Sequence, residues 1–144
     1  MKLAVIRIRG MWAIKPKIKD TMEKLNLSRV NHCVVIDDSP TYLGMLKKCK
    51  DYVAYGPISE KMIEKLIKKR GRKKGNKKLD EKEVDISNFV SRFIEGKADL
   101  KNIGLKPVFR LKPPKKGYKS VKRPYPAGAL GKWPDIDKLI NRMI

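Results

Sequence analysis

The sequence predicts mixed α and β structure: a β-α-β-α-β unit over residues 1–58, then a basic, mainly helical extension over 59–144. Three observations predict it. Short runs rich in β-branched residues alternate with apolar residues at helical spacing as far as Ile58. Beyond that point the composition shifts to Lys, Arg, Gly and Pro, interrupted by helical apolar stripes. The 144 residues suit one domain, or a small core with an appended subdomain, and can bury enough surface to fold without crosslinks.

The stretch "KLAVIRIRG" is the first strand. Alternation puts Ala4, Ile6 and Ile8 on one face and Leu3, Val5, Arg7 and Arg9 on the other, and Gly10 ends it. A loop containing Trp12 leads to Pro16, whose fixed φ suits a first helical turn. Ile18, Met22 and Leu25 then recur at helical spacing, with Asp20 and Lys24 as an exposed i,i+4 pair. Asn31 to Asp37 is the second strand, with His32, Val34 and Ile36 on one face and Cys33, Val35 and Asp37 on the other. Ser39 is a good N-cap and Pro40 a good first helical residue, and Leu43, Leu46 and Cys49, with Met45 beside them, form the apolar stripe that follows. "DYVAYGPI" is the third strand, closed by Gly56 and Pro57. A helix joining two strands favours parallel neighbours, so spacing alone leans towards a parallel sheet.

In the extension, "SEKMIEKLIKKRG" reads as a helix capped by Ser59, with Met62, Ile63, Leu66 and Ile67 turned inward and Gly71 as its stop. "DISNFVSRFIEG" is a second helix, with Ile86, Phe89, Val90, Phe93 and Ile94 on one side. Asp80, Glu81, Glu83 and Asp85 give it an acidic start that suits the helix dipole. "LKNIG" suggests a helical turn and Val108 to Leu111 a strand. The Lys-, Pro- and Gly-rich run from Lys112 to Pro134 is too polar for a core strand and too proline-rich for a helix, so it should lie extended. Ile136, Leu139, Ile140 and Met143 make a closing helix.

Charge points to a partner. Thirty-six Lys and Arg against fifteen Asp and Glu give a formal +21 and a pI near 10.1. A surface so one-signed repels itself unless a polyanion neutralises it, and phosphate backbones are the commonest cellular polyanion. A membrane surface would want a basic amphipathic helix, whereas the basic stretches here contain Gly and Pro. No apolar run approaches a membrane span or a signal-peptide core, and two cysteines make no disulfide framework. The expectation is a soluble intracellular nucleic-acid binder.

The segment "NHCVVIDDSP" gathers a histidine, a cysteine and two aspartates, a set that invites a metal or catalytic reading. Zinc sites want ligands paired two to four residues apart and a second pair elsewhere. Here His32 and Cys33 are neighbours pointing to opposite faces, and the chain has no second histidine. The same divergence spoils a Cys–His nucleophile pair. The reading is a core cysteine, a histidine at a sheet face, and Asp37 and Asp38 ahead of a helix N-terminus. No cofactor and no metal are expected.

The runs "TMEKLNLSRVNHCV" and "MLKKCKDYV" carry a family resemblance. They resemble the signature of the large-subunit ribosomal protein L-thirty family. That pattern has an apolar pair, filled here by Thr21 and Met22, before Leu25, then Leu27, a basic residue at Arg29, a polar one at His32 and a branched one at Val34. It resumes at Met45 and Leu46 and ends on Tyr52 and Val53, with Cys49 where a branched aliphatic or alanine is usual. The tail "FRLKPPKKGYKSVKRPYPAGALG" is similar to the long archaeal and eukaryotic form, whose eukaryotic member is called L-seven. The lack of a basic N-terminal extension argues for the archaeal form.

The resemblance implies an α+β fold. A three-stranded, mostly antiparallel sheet, related to the ferredoxin-like fold, would carry two helices on one face. It implies a structural constituent of the large ribosomal subunit, cytoplasmic and ribosome-bound, that binds large-subunit RNA close to the 5S particle and touches neighbouring ribosomal proteins. It implies no enzyme activity, small-molecule substrate or membrane.

If the helices cover the Ala4, Ile6 and Ile8 side, then Arg7 and Arg9 face outward beside Lys15, Lys17 and Arg29. Folded RNA is read through shape, phosphates and 2′-hydroxyls, which favours dispersed basic contacts. Two segments supply more of them: Arg70, Arg72, Lys73, Lys74, Lys77 and Lys78 in the first, and Arg110, Lys112, Lys115, Lys116, Tyr118, Lys119, Lys122 and Arg123 in the second. Both should be mobile alone and ordered against phosphates, since neither can bury enough apolar surface to offset its ordering entropy. Tyr118, Tyr125 and Trp133 either stack on splayed bases or pin the tail to the core. A free-standing RNA-binding protein or chaperone accounts for the charge but not for the signature.

Overall fold

The structure, a computed structural model, describes residues 2–10, 14–73, 75, 77, 85–97, 100, 104–118, 120–125 and 127–144. Chain order runs β1 (Lys2–Arg7), α1 (Pro16–Lys24), β2 (His32–Asp37), α2 (Pro40–Cys49) and β3 (Val53–Pro57). The extension adds α3 (Glu60–Arg70), α4 (Ile86–Ile94), β4 (Val108–Arg110), β5 (Gly131–Lys132) and α5 (Ile136–Met143). The sheet order is β4-β2-β1-β3-β5. β1 is central and antiparallel to both β2 and β3, and β2 is antiparallel to β4. Only the short β3–β5 pair is parallel.

The parallel arrangement favoured by spacing is therefore corrected. β2 and β3 are parallel to each other, joined by α2, but β1 lies between them. The crossover rule applies to strands of the same sheet without requiring them to be adjacent. The antiparallel core implied by the resemblance holds, and the extension widens it with an edge strand on each side.

Start signals act as read. Ser39 Oγ accepts from Tyr42 N–H at 3.5 Å, and Ser59 Oγ accepts from Met62 N–H at 3.2 Å. Asp85 caps α4 by accepting from Asn88 N–H at 3.3 Å.

The packing of the sheet overturns the expected faces. α1 and α2 cover the Leu3 and Val5 side, where Met22, Leu25, Leu27, Val34, Leu46, Cys49 and Val53 make one buried cluster. The Ala4, Ile6 and Ile8 side is covered by the extension, through Ile63, Leu66 and Ile67 of α3, Phe89, Val90 and Phe93 of α4, and Leu139, Ile140 and Met143 of α5. Leu46 and Ile6 thus belong to opposite layers. Every residue of β1 is buried, Arg7 included, because both faces of the central strand are roofed. Leu43, read as part of the α2 stripe, is exposed, and Tyr42 and Met45 pack there instead.

The run from Lys112 to Pro134 is not simply extended. It doubles back, with Tyr125 N–H donating to the Leu130 carbonyl at 2.8 Å and Ala129 N–H to the Ser120 carbonyl at 2.9 Å. Its end joins the sheet at β5, where Trp133 N–H donates to the Tyr55 carbonyl at 2.7 Å. That approach requires Gly56, since a Cβ there would collide with the Trp133 carbonyl oxygen. The helical turn expected around "LKNIG" lies largely outside the described residues.

Candidate nucleic-acid interface

Antiparallel pairing gathers the end of β1, the start of β2 and the end of β4 at one end of the sheet. Ile6 pairs with Cys33, so Arg7 falls beside His32, and His32 pairs directly with Arg110. Alternation puts Arg7 on the side of Leu3 and Val5, His32 on that of Val34, and Arg110 on that of Val108. The three basic side chains form a row across three adjacent strands. Arg29, in the turn before β2, joins them through a bond from His32 N–H to its carbonyl at 3.4 Å. Burial, then the positive charges of Arg110, Arg29 and Arg7, push the His32 pKa below its ordinary value.

These residues play different parts. Arg7 is 1% exposed; its Nη1 donates to the Leu27 carbonyl at 2.7 Å and its Nε to the Arg9 carbonyl at 3.0 Å. This corrects its placement on an open face: Arg7 is buried and holds the α1–β2 connection against the sheet. Arg9 is half-buried, its guanidinium 5.2 Å from the centre of the Tyr52 ring. Arg29 and Arg110 are exposed, and among the described residues neither side chain makes a hydrogen bond or ion pair.

The turn after β4 is fastened to the same end. Lys112 N–H donates to the Met143 carbonyl at 2.9 Å, and the Tyr118 hydroxyl donates to Asn31 Oδ1 at 2.9 Å. Burial pushes the Tyr118 phenol up to about 12, so it remains a donor there. Arg142 of α5 clamps the turn, donating from Nε and Nη2 to the Lys115 carbonyl at 3.1 and 2.8 Å and from Nη2 to that of Gly117. Lys112, Lys115 and Lys116 are left exposed on its outer side. Sequence reasoning missed Arg142, although a cation in a last helical turn is a signal that carbonyls need satisfying nearby.

The other predicted residues are dispersed. Lys15 and Lys17 are exposed where α1 begins, in an open groove shared with Lys24 and Lys48. Arg70 and Arg72 are half-buried at the end of α3, where Arg72 donates to the Gly71 carbonyl at 3.0 Å and its own carbonyl accepts from Lys106 N–H at 2.9 Å. Lys73 is half-buried and bridges Leu105, and Lys77 is exposed. Lys122 and Arg123 are exposed on the doubled-back loop. Lys74, Lys78 and Lys119 lie outside the described residues.

Of the aromatics, Tyr118 and Trp133 pack against the core. Trp133 Nε1 donates to the Ala129 carbonyl at 2.7 Å, and Tyr125 covers the Trp133 ring at 4.6 Å between centroids. Tyr118 and Trp133 thus pin the tail.

The opposite end of the sheet has another character. Lys2 is paired with Asp37 across the β1–β2 register and sits 4.4 Å from the Phe93 ring centre. Asp38 is exposed there, and Asp137 accepts from Ser59 N–H at 3.3 Å, close to Glu60. Cys33 is buried in the core, its thiol pushed up to about 12 by burial, on the face opposite His32. Cys49 is buried and pushed up to about 11. Neither thiol is placed to act as a thiolate.

Comparison with known proteins adds an independent line. The family model described as "Ribosomal protein L30p/L7e" matches residues 3–53. The chain is 46% identical to the large ribosomal subunit protein uL30 of Archaeoglobus fulgidus, covering 97% of this chain and 98% of that one. It is 45% identical to the protein of the same name from Methanococcus maripaludis over the whole of both chains. With that of Methanocella arvoryzae it shares 42% identity, over 97% and 98%.

Proposed function

The chain belongs to the uL30 family of large ribosomal subunit proteins, and on that premise we propose that it binds large-subunit ribosomal RNA through the basic end of its sheet. Family membership makes it a structural component of the ribosome rather than an enzyme. No helix among the described residues is long and apolar enough to cross a membrane.

The RNA contact rests on one observation, the segregation of charge along the strands. Arg9, Arg29, Arg110, Lys112, Lys115 and Lys116 crowd one end, with Asp51 beside them in the turn into β3. Asp37, Asp38, Glu60 and Asp137 collect at the other, where Lys2, Lys47 and Lys132 offset them. A phosphate backbone docking on the first end meets cations without crossing the acids. Lys15 and Lys17 extend the surface along α1. The segment from Arg70 to Lys78 and the loop bearing Lys122 and Arg123 form its periphery. The family resemblance carries the further proposal that the contacted RNA lies close to the 5S particle, with neighbouring ribosomal proteins as additional partners.

Titration against large-subunit RNA at several salt concentrations tests this reading. Each phosphate left without its cation should flatten the dependence of log affinity on log salt by about 0.7–0.9. Replacing Arg29, Arg110, Lys112 and Lys115 by Gln should therefore flatten the slope markedly. Replacing Arg70, Arg72 and Lys73 should flatten it less. An unchanged slope in the first variant removes the sheet end from the interface. A free-standing RNA binder would leave the large subunit in a moderate salt wash, whereas this chain should sediment with it.

A further inference from the structure

We propose that Arg29, His32 and Arg110 form one oxyanion site for a backbone phosphodiester of RNA, and that filling the site draws a proton from solvent onto the His32 imidazole. The inference rests on the RNA-binding reading and deepens it by naming one contact and its chemistry.

Geometry carries it. His32 and Arg110 are direct partners in the β2–β4 register, so their Cβ atoms stand about 4.5–5.5 Å apart on one face. Asn31, in the left-handed conformation at φ 67°, makes the tight entry into β2 that keeps Arg29 beside them. The free forks of Arg29 and Arg110 suit the bidentate capture of a phosphate, which a lysine cannot reproduce. His32, opposite Arg110 and at the end of the turn that begins at Arg29, is a short, rigid third donor.

The groups facing His32 are Arg7 from β1, Arg110 from β4 and Arg29 from the preceding turn, all cations. Burial and these cations push the His32 pKa below the ordinary value, which favours the neutral ring in the free protein. Its Nδ1 is buried with no partner, the bare nitrogen of the neutral ring, and the N–H formed there on protonation would take a phosphate oxygen as its acceptor. A phosphodiester brings a full negative charge into this field, offsets the arginines and makes the imidazolium favourable. The reaction is simple in balance: one N–H bond forms with a proton taken from solvent, and no other bond changes. Because the bound form holds the proton more tightly than the free form, affinity must rise as pH falls between the two pKa values.

The sequence makes the effect measurable. His32 is the only histidine in the chain, and both thiols are pushed well above neutrality. It is the one side chain whose ordinary pKa lies between pH 5 and 8. RNA affinity measured from about pH 8 down to about pH 5.5 should rise in the wild type by several-fold, with about tenfold for each unit of raised pKa. His32→Gln should bind with the wild type's high-pH affinity at every pH. In parallel, the single imidazole Cε1–H resonance should report a pKa that rises when sulfate replaces chloride at constant ionic strength. No such rise should occur in Arg29→Gln/Arg110→Gln, whose changes are both at exposed positions and which serves if His32→Gln fails to fold. An equal rise in affinity for wild type and His32→Gln places the proton on the RNA and overturns the site. Tight but pH-independent wild-type binding also overturns it and leaves the RNA-binding reading standing. Absence of RNA binding at every pH removes that reading and the site together.

Discussion

The two faces of the sheet are built from the same strands yet completed in different ways. The Leu3 and Val5 face is closed by α1 and α2, which lie between the strands in sequence. The Ala4, Ile6 and Ile8 face is closed by α3, α4 and α5, all of which follow β3. The first face is thus finished within a β-α-β-α-β unit, whereas the second needs the extension. The lesson is that the extension is no mere appendage for RNA. It supplies half of the core, and its Arg142 and Tyr118 fix the turn that presents Lys112, Lys115 and Lys116.

Truncation after Ile58 should have the largest effect. It uncovers Ala4, Ile6, Ile8, Cys33 and Ala54 in one step, a contiguous apolar face of a kind that soluble monomers rarely expose. The fragment should aggregate or melt without a cooperative transition. A soluble, cooperatively folding fragment would mean that the second face needs no cover.

Single residues weigh the two layers against each other. Leu46 and Ile140 are fully buried on opposite faces, so Leu46→Ala and Ile140→Ala should each destabilise by about 2–5 kcal/mol in denaturant unfolding. They share no cluster, so the double variant should show additive effects. A silent Ile140→Ala would demote the extension to a loose cover.

A smaller effect separates the two kinds of arginine in the cross-strand row. Arg7→Ala strips donors from the Leu27 and Arg9 carbonyls and should cost about 1–3 kcal/mol of stability. Arg110→Ala, at an exposed edge position, should stay within about 0.5 kcal/mol while weakening RNA binding. The reverse pattern, with Arg7→Ala stable and RNA-defective, would restore Arg7 to the RNA-facing surface.

Much of the fold was legible because its signals are local. Alternation in "HCVVID" sorted Cys33 from Val34 correctly, and Ser39 and Ser59 marked their helix starts. The stripe Met62, Ile63, Leu66 and Ile67 is buried as read. What failed was non-local. From Leu3 to Ile6 both faces of β1 are apolar, so period-2 alternation cannot say which helices take which side. The choice falls to the extension, whose apolar surface is larger. β5 is two residues long and depends on Gly56 admitting the Trp133 backbone, a fit that no propensity encodes. The candidate site was half legible for the same reason. Arg29 and Arg110 stood out as basic residues, but the approach of Arg110 to His32 depends on the β2–β4 register.

The central position of β1 also shapes how the molecule assembles. β1 is the strand that every other layer encloses, and those layers come from very unequal distances along the chain. β2 and β3 pair with β1 from within the first 57 residues, whereas the Tyr118–Asn31 bond spans 87 residues and the Lys65–Asn141 bond spans 76. Closing loops of that length adds little equilibrium cost, since the entropy grows only logarithmically, but it delays the search. Until the extension closes on it, the Ala4, Ile6 and Ile8 face of a newly made chain has no cover. The +21 charge is an asset in that interval, because mutual repulsion keeps half-covered chains apart until α5 docks.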